Sequence, residues 1–455
     1  MSANRNWKEI VTLAMPVVIS KLSFTFMGLV DTAMVGRIGV AEQAAVGIAT
    51  TFMFTVYVFG LGVIGAVNTL VSQLDGAARP ERCGQVLSEG LRAATVIGAA
   101  TWLVLFFSEP FFVVAGLSEE VAGYGYTYLL FRITGLFPVF WYWTFNAYLE
   151  GLGDTATPMW ITLAGNLVNL VLDYAFIFGA GPIPAMGVAG AGLATALGNI
   201  FMFACFAWAV FRKRGIYRSR FGARLIDTGS TFGLLRQLLV LGVPMGIQFF
   251  LEVGAYLVFS IFVGWVSDTA LAAHQVAIRV MSISFMTAFG IGTAATTLVG
   301  RYQGKRRSDL AEQAGMGAVG LMAVYTIFCG VAFAAFPHLI GRIFTSSTAV
   351  VEAVIPLLYA AAVFQFFDGV NMVGYSALKG AGDTGKPLMI SVVAHWAVGV
   401  PLVYWLTIHS NFGALGAWVG MCVMIAVQAV LIFLRFRRGA WKGLTVATIE
   451  TGAAE

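Results

Sequence analysis

The sequence has 455 residues, 59% hydrophobic and 11% charged, with a formal net charge of +5. Soluble globular chains carry about 25% charged residues, so the composition excludes an ordinary soluble protein. The surplus of positive charge does not point to nucleic acid either, because of where the basic residues fall.

Twelve apolar stretches follow one another, over 10–38, 44–74, 84–108, 124–147, 157–180, 186–212, 238–264, 270–300, 314–336, 350–377, 386–409 and 413–435. Each is long enough to cross about 30 Å of hydrocarbon. The runs are continuous rather than alternating, which predicts helices and not a closed barrel. The abundant glycines (53) suit close helix packing in a bilayer. The N-terminus runs into the first stretch without a small-residue cleavage site, so no signal peptide is expected. Cys83, Cys205, Cys329 and Cys422 lie far apart, which fits neither a disulfide framework nor a metal cluster.

Of the 27 Lys and Arg residues, 22 fall on one side, at the two termini and in or near the even-numbered connections. Only Arg37 and Arg342 fall on the other side, and Lys21, Arg132 and Arg279 lie within stretches. The positive-inside rule then puts both termini in the cytoplasm. The longest connection, 212–236, is also the most basic and reads as a solvated linker. It divides an N-terminal six-helix bundle, 1–211, from a C-terminal one, 237–441, with 442–455 as a tail.

The halves resemble each other at an offset near 228 residues. Leu13-Ala14-Met15-Pro16 matches Leu241-Gly242-Val243-Pro244, and Val35-Gly36 matches Val263-Gly264. Gly151-Leu152-Gly153-Asp154-Thr155 with Pro158 matches Gly380-Ala381-Gly382-Asp383-Thr384 with Pro387. Six spans per repeat is an even number, so both halves share one orientation. The expected fold class is an all-α polytopic membrane protein of twelve transmembrane helices in two parallel six-helix repeats, an architecture of transporters. Asp154 and Asp383 read as turn and capping residues.

A scaffold feature should occur in both halves, whereas a site can occur in one. Four intramembrane acids have no acidic counterpart: Asp31 aligns with Phe259, Asp173 with Leu402, Glu252 with Phe24, and Asp368 with Val139 or its neighbour. Ionisable groups in mid-membrane are costly, at about 2.5 kcal/mol or more, and by default mark function. The competing reading is a buried acid paired with Lys21, Arg132 or Arg279. Helical spacing gathers polar groups around the acids. Asn166, Asn169 and Asp173 share a face of the fifth span. Gln248, Glu252 and Tyr256 share one of the seventh, and Gln365, Asp368, Asn371 (or Met372) and Tyr375 form a stripe on the tenth. Depth pairs Asp31 with Asp173 and Glu252 with Asp368, one acidic centre per half.

Several segments, in chain order, resemble the multidrug and toxic compound extrusion (MATE) family over nearly the whole chain. They are Ala14-Met15-Pro16, Gly28-Leu29-Val30-Asp31-Thr32-Ala33-Met34, Glu150-Gly151-Leu152-Gly153-Asp154-Thr155, Phe250-Leu251-Glu252-Val253, His274-Gln275-Val276-Ala277 and Phe366-Phe367-Asp368. The resemblance implies efflux of small amphipathic, often cationic organic compounds by alternating access. It implies a bacterial inner membrane, coupling to H+ or Na+, and no cofactor. Under it, Asp31 matches the first-helix acid of proton coupling. Tyr128, Asn169, Asp173 and Thr195 match the polar pocket of the N-terminal half. Glu252, Gln275 and Asp368 match a cation site of NorM-type members, a metal site only if sodium is the coupling ion. Asn166, Gln248 and Tyr256 join these as pocket residues through their stripes. Two departures from the NorM-type pattern stand out. Phe364 replaces a tyrosine, and Asp173 follows the DinF-type pattern where NorM-type members have a neutral residue.

The alternative function is a flippase for a lipid-linked substrate of the same superfamily, but four acids against three intramembrane cations favour cationic cargo. A channel would be lined by rings of like groups. The scattered His274, His338 and His395 give no catalytic spacing, so no enzyme is expected. No Walker glycine run is present, so ATP is not the expected energy source. The expected partners are the cargo and the lipid bilayer, for a chain acting as a monomer.

Overall fold

A computed structural model describes residues 3–114, 116–212, 231–410 and 412–444. Most of the basic linker, at 213–230, and the tail from 445 lie outside the described residues. The described chain is helical, and one isolated bridge, between Ala180 and Ile183, is its only β pairing.

The principal helices are α1 (Ala3–Val35), α2 (Val40–Gly76), α3 (Pro80–Phe106), α4 (Glu119–Arg132), α5 (Leu136–Gly151), α6 (Ala156–Phe178) and α7 (Gly187–Arg212). They continue with α8 (Thr231–Gly264), α9 (Asp268–Gly304), α10 (Ser308–Ala335), α11 (Thr348–Ala381), α12 (Gly385–His409) and α13 (Gly413–Arg438). Among the described residues, eleven helices are long and apolar enough to cross a membrane. The stretch 124–147, expected as one span, is instead α4 and α5 joined by a 3-10 turn, Ile133–Gly135. Pro138 supplies the reason: it has no N–H to give to the Thr134 carbonyl, so the helix is interrupted at that turn. Short helices Glu109–Val114 and Pro337–Phe344, which hydropathy alone did not reveal, fill two connections. In α12 the winding widens to π-helix over Val393–Gly399 and Trp405–His409, flanking Pro401.

The chain forms two compact units, one of Ile19–Gly246 and one of Met1–Val18 with Ile247–Glu455. The first 18 residues therefore pack with the C-terminal part of the chain: Ile10 and Ala14 join a core with Ala288, Ile291 and Leu298. In the other unit, Gly242 and Gly246 lie against Val63 and Phe59 of α2. Each boundary falls two residues beyond a proline inside a helix, Pro16 of α1 and Pro244 of α8.

The repeated Gly-x-Gly-Asp-Thr segments have a packing cause. A Cβ on Gly151 would lie 2.9 Å from the Asn68 carbonyl oxygen of α2, and one on Gly380 would lie 2.4 Å from the Thr296 carbonyl oxygen of α9. The glycines let two helix backbones touch, in each unit separately. Two residues on, Gly153 (φ +77°) and Gly382 (φ +89°) take the left-handed conformation that ends each helix. Overpacking costs about 1–3 kcal/mol, so Gly380→Ala should lower the thermal unfolding midpoint in detergent. An unchanged midpoint would remove this explanation of the motif.

The two aspartates that follow part company. Asp154 accepts from the Thr157 N–H (3.0 Å) and from its hydroxyl (2.8 Å), as a capping residue does. Asp383 is buried and accepts from Arg435 Nε of α13 at 2.6 Å. A carboxylate withdrawn from water needs a counter-charge more than a turn needs a cap.

Candidate functional site

In the unit Ile19–Gly246, four helices bring polar groups to one place. Asp31 of α1 and Asp173 of α6 meet within hydrogen-bonding reach, with Arg132 of α4 close enough to interact with both. Asp173 is fully buried. Its Oδ2 accepts from Asn169 Nδ2 at 2.8 Å, one helical turn earlier. Arg132 Nη1 donates to the Tyr128 hydroxyl, and its Cζ lies 5.4 Å from the Tyr128 ring centroid. From α2, Thr50 Oγ1 donates to the Tyr128 hydroxyl at 3.4 Å, and Tyr57 stands within electrostatic reach of Arg132. Asp31 Oδ1, Asp173 Oδ1 and Arg132 Nε are buried without a hydrogen-bond partner among the described residues.

Other expected pocket residues are less central. Asn166 Nδ2 donates to Ser23 Oγ of α1 at 2.6 Å, and the Thr195 hydroxyl is used on the Ala191 carbonyl of its own helix. Lys21 does not serve Asp31, for it interacts with Glu150. Of the three cations weighed as partners for the acids, Arg132 is the one beside Asp31.

The second centre lies in the other unit. Glu252 Oε1 of α8 accepts from Gln248 Nε2 (3.2 Å), Ser391 Oγ of α12 (2.8 Å) and Gln428 Nε2 of α13 (3.4 Å). Asp368 of α11 is within electrostatic reach of Glu252, and Tyr256 is within reach of both. A cavity of about 10 Å³, enough for roughly one water, is lined by Asp368, Gln365 and Ser284. The amide oxygens of Gln248, Gln365, Asn371 and Gln428 are buried without donors among the described residues. Two carboxylates and several free carbonyl oxygens make a donor set suited to a hard cation or a proton. Phe364 is buried between Tyr256 and Trp418 and brings no hydroxyl. Gln275 is exposed, as is Arg279 one turn later.

Of the buried histidines, His274 has structural partners on both ring nitrogens. His274 Nδ1 accepts from Trp418 Nε1 at 3.1 Å, and its Nε2 lies 3.0 Å from Ser260 Oγ. Because the indole only donates, Nδ1 is bare and Nε2 carries the hydrogen, which it gives to the serine oxygen. The serine hydroxyl then donates to the Tyr256 carbonyl. This chain ties α8, α9 and α13 together. His274→Leu should cost about 1–3 kcal/mol, since it strands a buried indole N–H. A thermal midpoint in detergent equal to that of the wild type would contradict this.

The MatE family matches residues 16–175 and 244–405 of this sequence, one match in each half. A probable multidrug resistance protein NorM of Bradyrhizobium diazoefficiens is 33% identical over 94% of this chain and 92% of its own length. The chain belongs to the MATE family. A multidrug resistance protein NorM of Burkholderia vietnamiensis is 30% identical to this MATE chain, over 96% of it and 94% of the relative. Its fold is that of a eukaryotic MATE transporter (TM-score 0.89, 20% identity, 97% of each chain). It is equally that of a multidrug resistance MATE transporter solved in its outward-facing conformation (TM-score 0.89, 23% identity, 96% of this chain and 97% of the other). As a MATE chain it is a membrane transporter and not an enzyme.

Proposed function

We propose that this chain is a cation-coupled multidrug efflux antiporter that exports amphipathic, often cationic organic compounds by alternating access. The carrying observation is the meeting of Asp31 and Asp173 inside an apolar bundle, with Tyr128 and Asn169 around them. The names of the NorM relatives point the same way. Two carboxylates sharing one low-dielectric site hold a proton between them. A proton and an organic cation then satisfy the same negative charge, so one displaces the other. That competition is what antiport requires. Each tenfold ratio of the coupling ion across the membrane supplies about 1.4 kcal/mol to drive it.

Glu252 and Asp368 form the second cation site, for a sodium ion or a proton, with Gln248 and Tyr256 beside them. Twelve spans in two parallel six-helix repeats, 1–211 and 237–441, supply the frame. The chain lies in the bacterial inner membrane as a monomer, with both termini cytoplasmic, in keeping with the basic residues of the even-numbered connections. The test is cargo efflux from proteoliposomes under a pH gradient and a sodium gradient imposed separately. Efflux under a pH gradient alone assigns the coupling to the proton, and efflux under sodium alone assigns it to the Glu252–Asp368 centre. Efflux under neither refutes the antiporter reading.

A further inference from the structure

The Asp31–Asp173 centre holds a fixed positive charge that the pairing of acids does not account for. Arg132 projects from the C-terminal end of α4, directly before the turn that separates α4 from α5. Its guanidinium is held by the Tyr128 hydroxyl and ring, and it acts on both carboxylates. Its Nε–H is buried and unsatisfied among the described residues, so Tyr128 does not exhaust it. The titratable groups facing it are Asp31 from α1, Tyr57 from α2, Tyr128 from α4, Tyr142 from α5 and Asp173 from α6. Two other basic residues of this unit have acidic partners of their own, Lys21 with Glu150 and Arg92 with Glu89 at 2.7 Å. An arginine side chain remains charged throughout the accessible pH range.

The charge of the centre follows. With both carboxylates ionised and Arg132 present, it carries one negative charge. One proton brings it to neutrality, and so does one organic monocation. Two protons, or one dication, leave it positive inside an apolar bundle, which is strongly disfavoured. We propose that Arg132 sets the valence of the cargo at this centre, selecting organic monocations in exchange for a single proton and rejecting dications. This rests on the antiport reading and adds to it a substrate class and the residue that defines it. Arg132 is a specificity residue: without it the two carboxylates carry two negative charges, and a dication becomes the neutralising cargo.

The test uses purified full-length protein and two fluorescent probes that share a phenanthridinium ring, ethidium with one positive charge and propidium with two. Wild-type protein and Arg132→Lys should bind ethidium about tenfold or more tightly than propidium. Arg132→Gln should lose or invert that preference. The pH midpoint of its ethidium binding should rise by about one unit, because a cation beside the carboxylates has been removed. The double variant Arg132→Gln with Asp173→Asn again has one negative charge against one proton, and its preference for ethidium should return. That rescue separates charge from structural damage, since a merely misfolded site would not regain selectivity. Equal affinity of the wild type for both probes overturns the proposal without any variant being needed. A wild-type preference and pH midpoint retained in Arg132→Gln overturn it as well. Wild-type binding that does not respond to pH would contradict the antiport reading itself.

Discussion

Replacing Asp31 with asparagine is expected to abolish cargo accumulation driven by a pH gradient while leaving the protein folded. The carboxylate meets Asp173 inside the bundle and is only partly shielded by Arg132. Asparagine keeps the shape and the hydrogen-bonding capacity but cannot take up or give back a proton. In one-for-one exchange, a gradient of one pH unit is worth about 1.4 kcal/mol, enough to sustain a tenfold concentration ratio. In Asp31→Asn the ratio should fall to unity, since the proton no longer competes with the cargo. The measurement is steady-state accumulation in proteoliposomes at several imposed gradients. A ratio that still rises tenfold per pH unit in Asp31→Asn would show that the proton is carried elsewhere. Deleting Lys21 should have no such effect on coupling, because its interaction is with Glu150.

Replacing Arg435 with methionine is expected to produce the largest loss of stability of any single change considered. Its Nε donates to the Asp383 carboxylate at 2.6 Å, and Asp383 is buried. The pair joins the turn before α12 to the C-terminal end of α13. Removing one partner of a buried pair costs about 3–5 kcal/mol, because it strands the other charge. Arg435 retains some exposure, so about 3 kcal/mol is the expected figure. Asp383→Asn should cost less, since it leaves the arginine free to reach water. Combining it with Arg435→Met should recover part of the loss, a non-additivity that a double-mutant cycle reads directly. Additive losses in thermal midpoint would mean that the pair contributes nothing as a pair.

Much of the frame was legible because bilayer physics leaves few choices. Long apolar runs with few charges must be helices, and the helices α1 to α3 and α6 to α13 stand where hydropathy puts apolar stretches. The break between α4 and α5 was missed because the stretch stays apolar through Pro138, so composition gave no signal although the proline did. The glycine motifs were legible as a repeat but not as a cause. Only coordinates show Gly151 and Gly380 against the backbones of α2 and α9. The acids were legible because a charge in an apolar helix is conspicuous. Arg132 was equally conspicuous, yet its neighbours lie on four other helices, and periodicity within one helix does not reveal them. Ser391 was invisible as a small residue in a long span. Gln428 left a faint trace as the one amide of α13, an otherwise apolar helix with a basic end. Asp383 shows the converse limit. A turn position fixes the residue type, while burial decides its partner.

The central claim is that a proton and an organic cation compete for the Asp31–Asp173 centre. Proton release on cargo binding tests it most directly, measured with a pH-sensitive dye in weakly buffered solution as the wild-type protein is mixed with a monovalent cation. The expected result is about one proton released per cation bound, and none from Asp31→Asn. Binding of the cation to the wild type with no proton released across the neutral pH range would contradict the account.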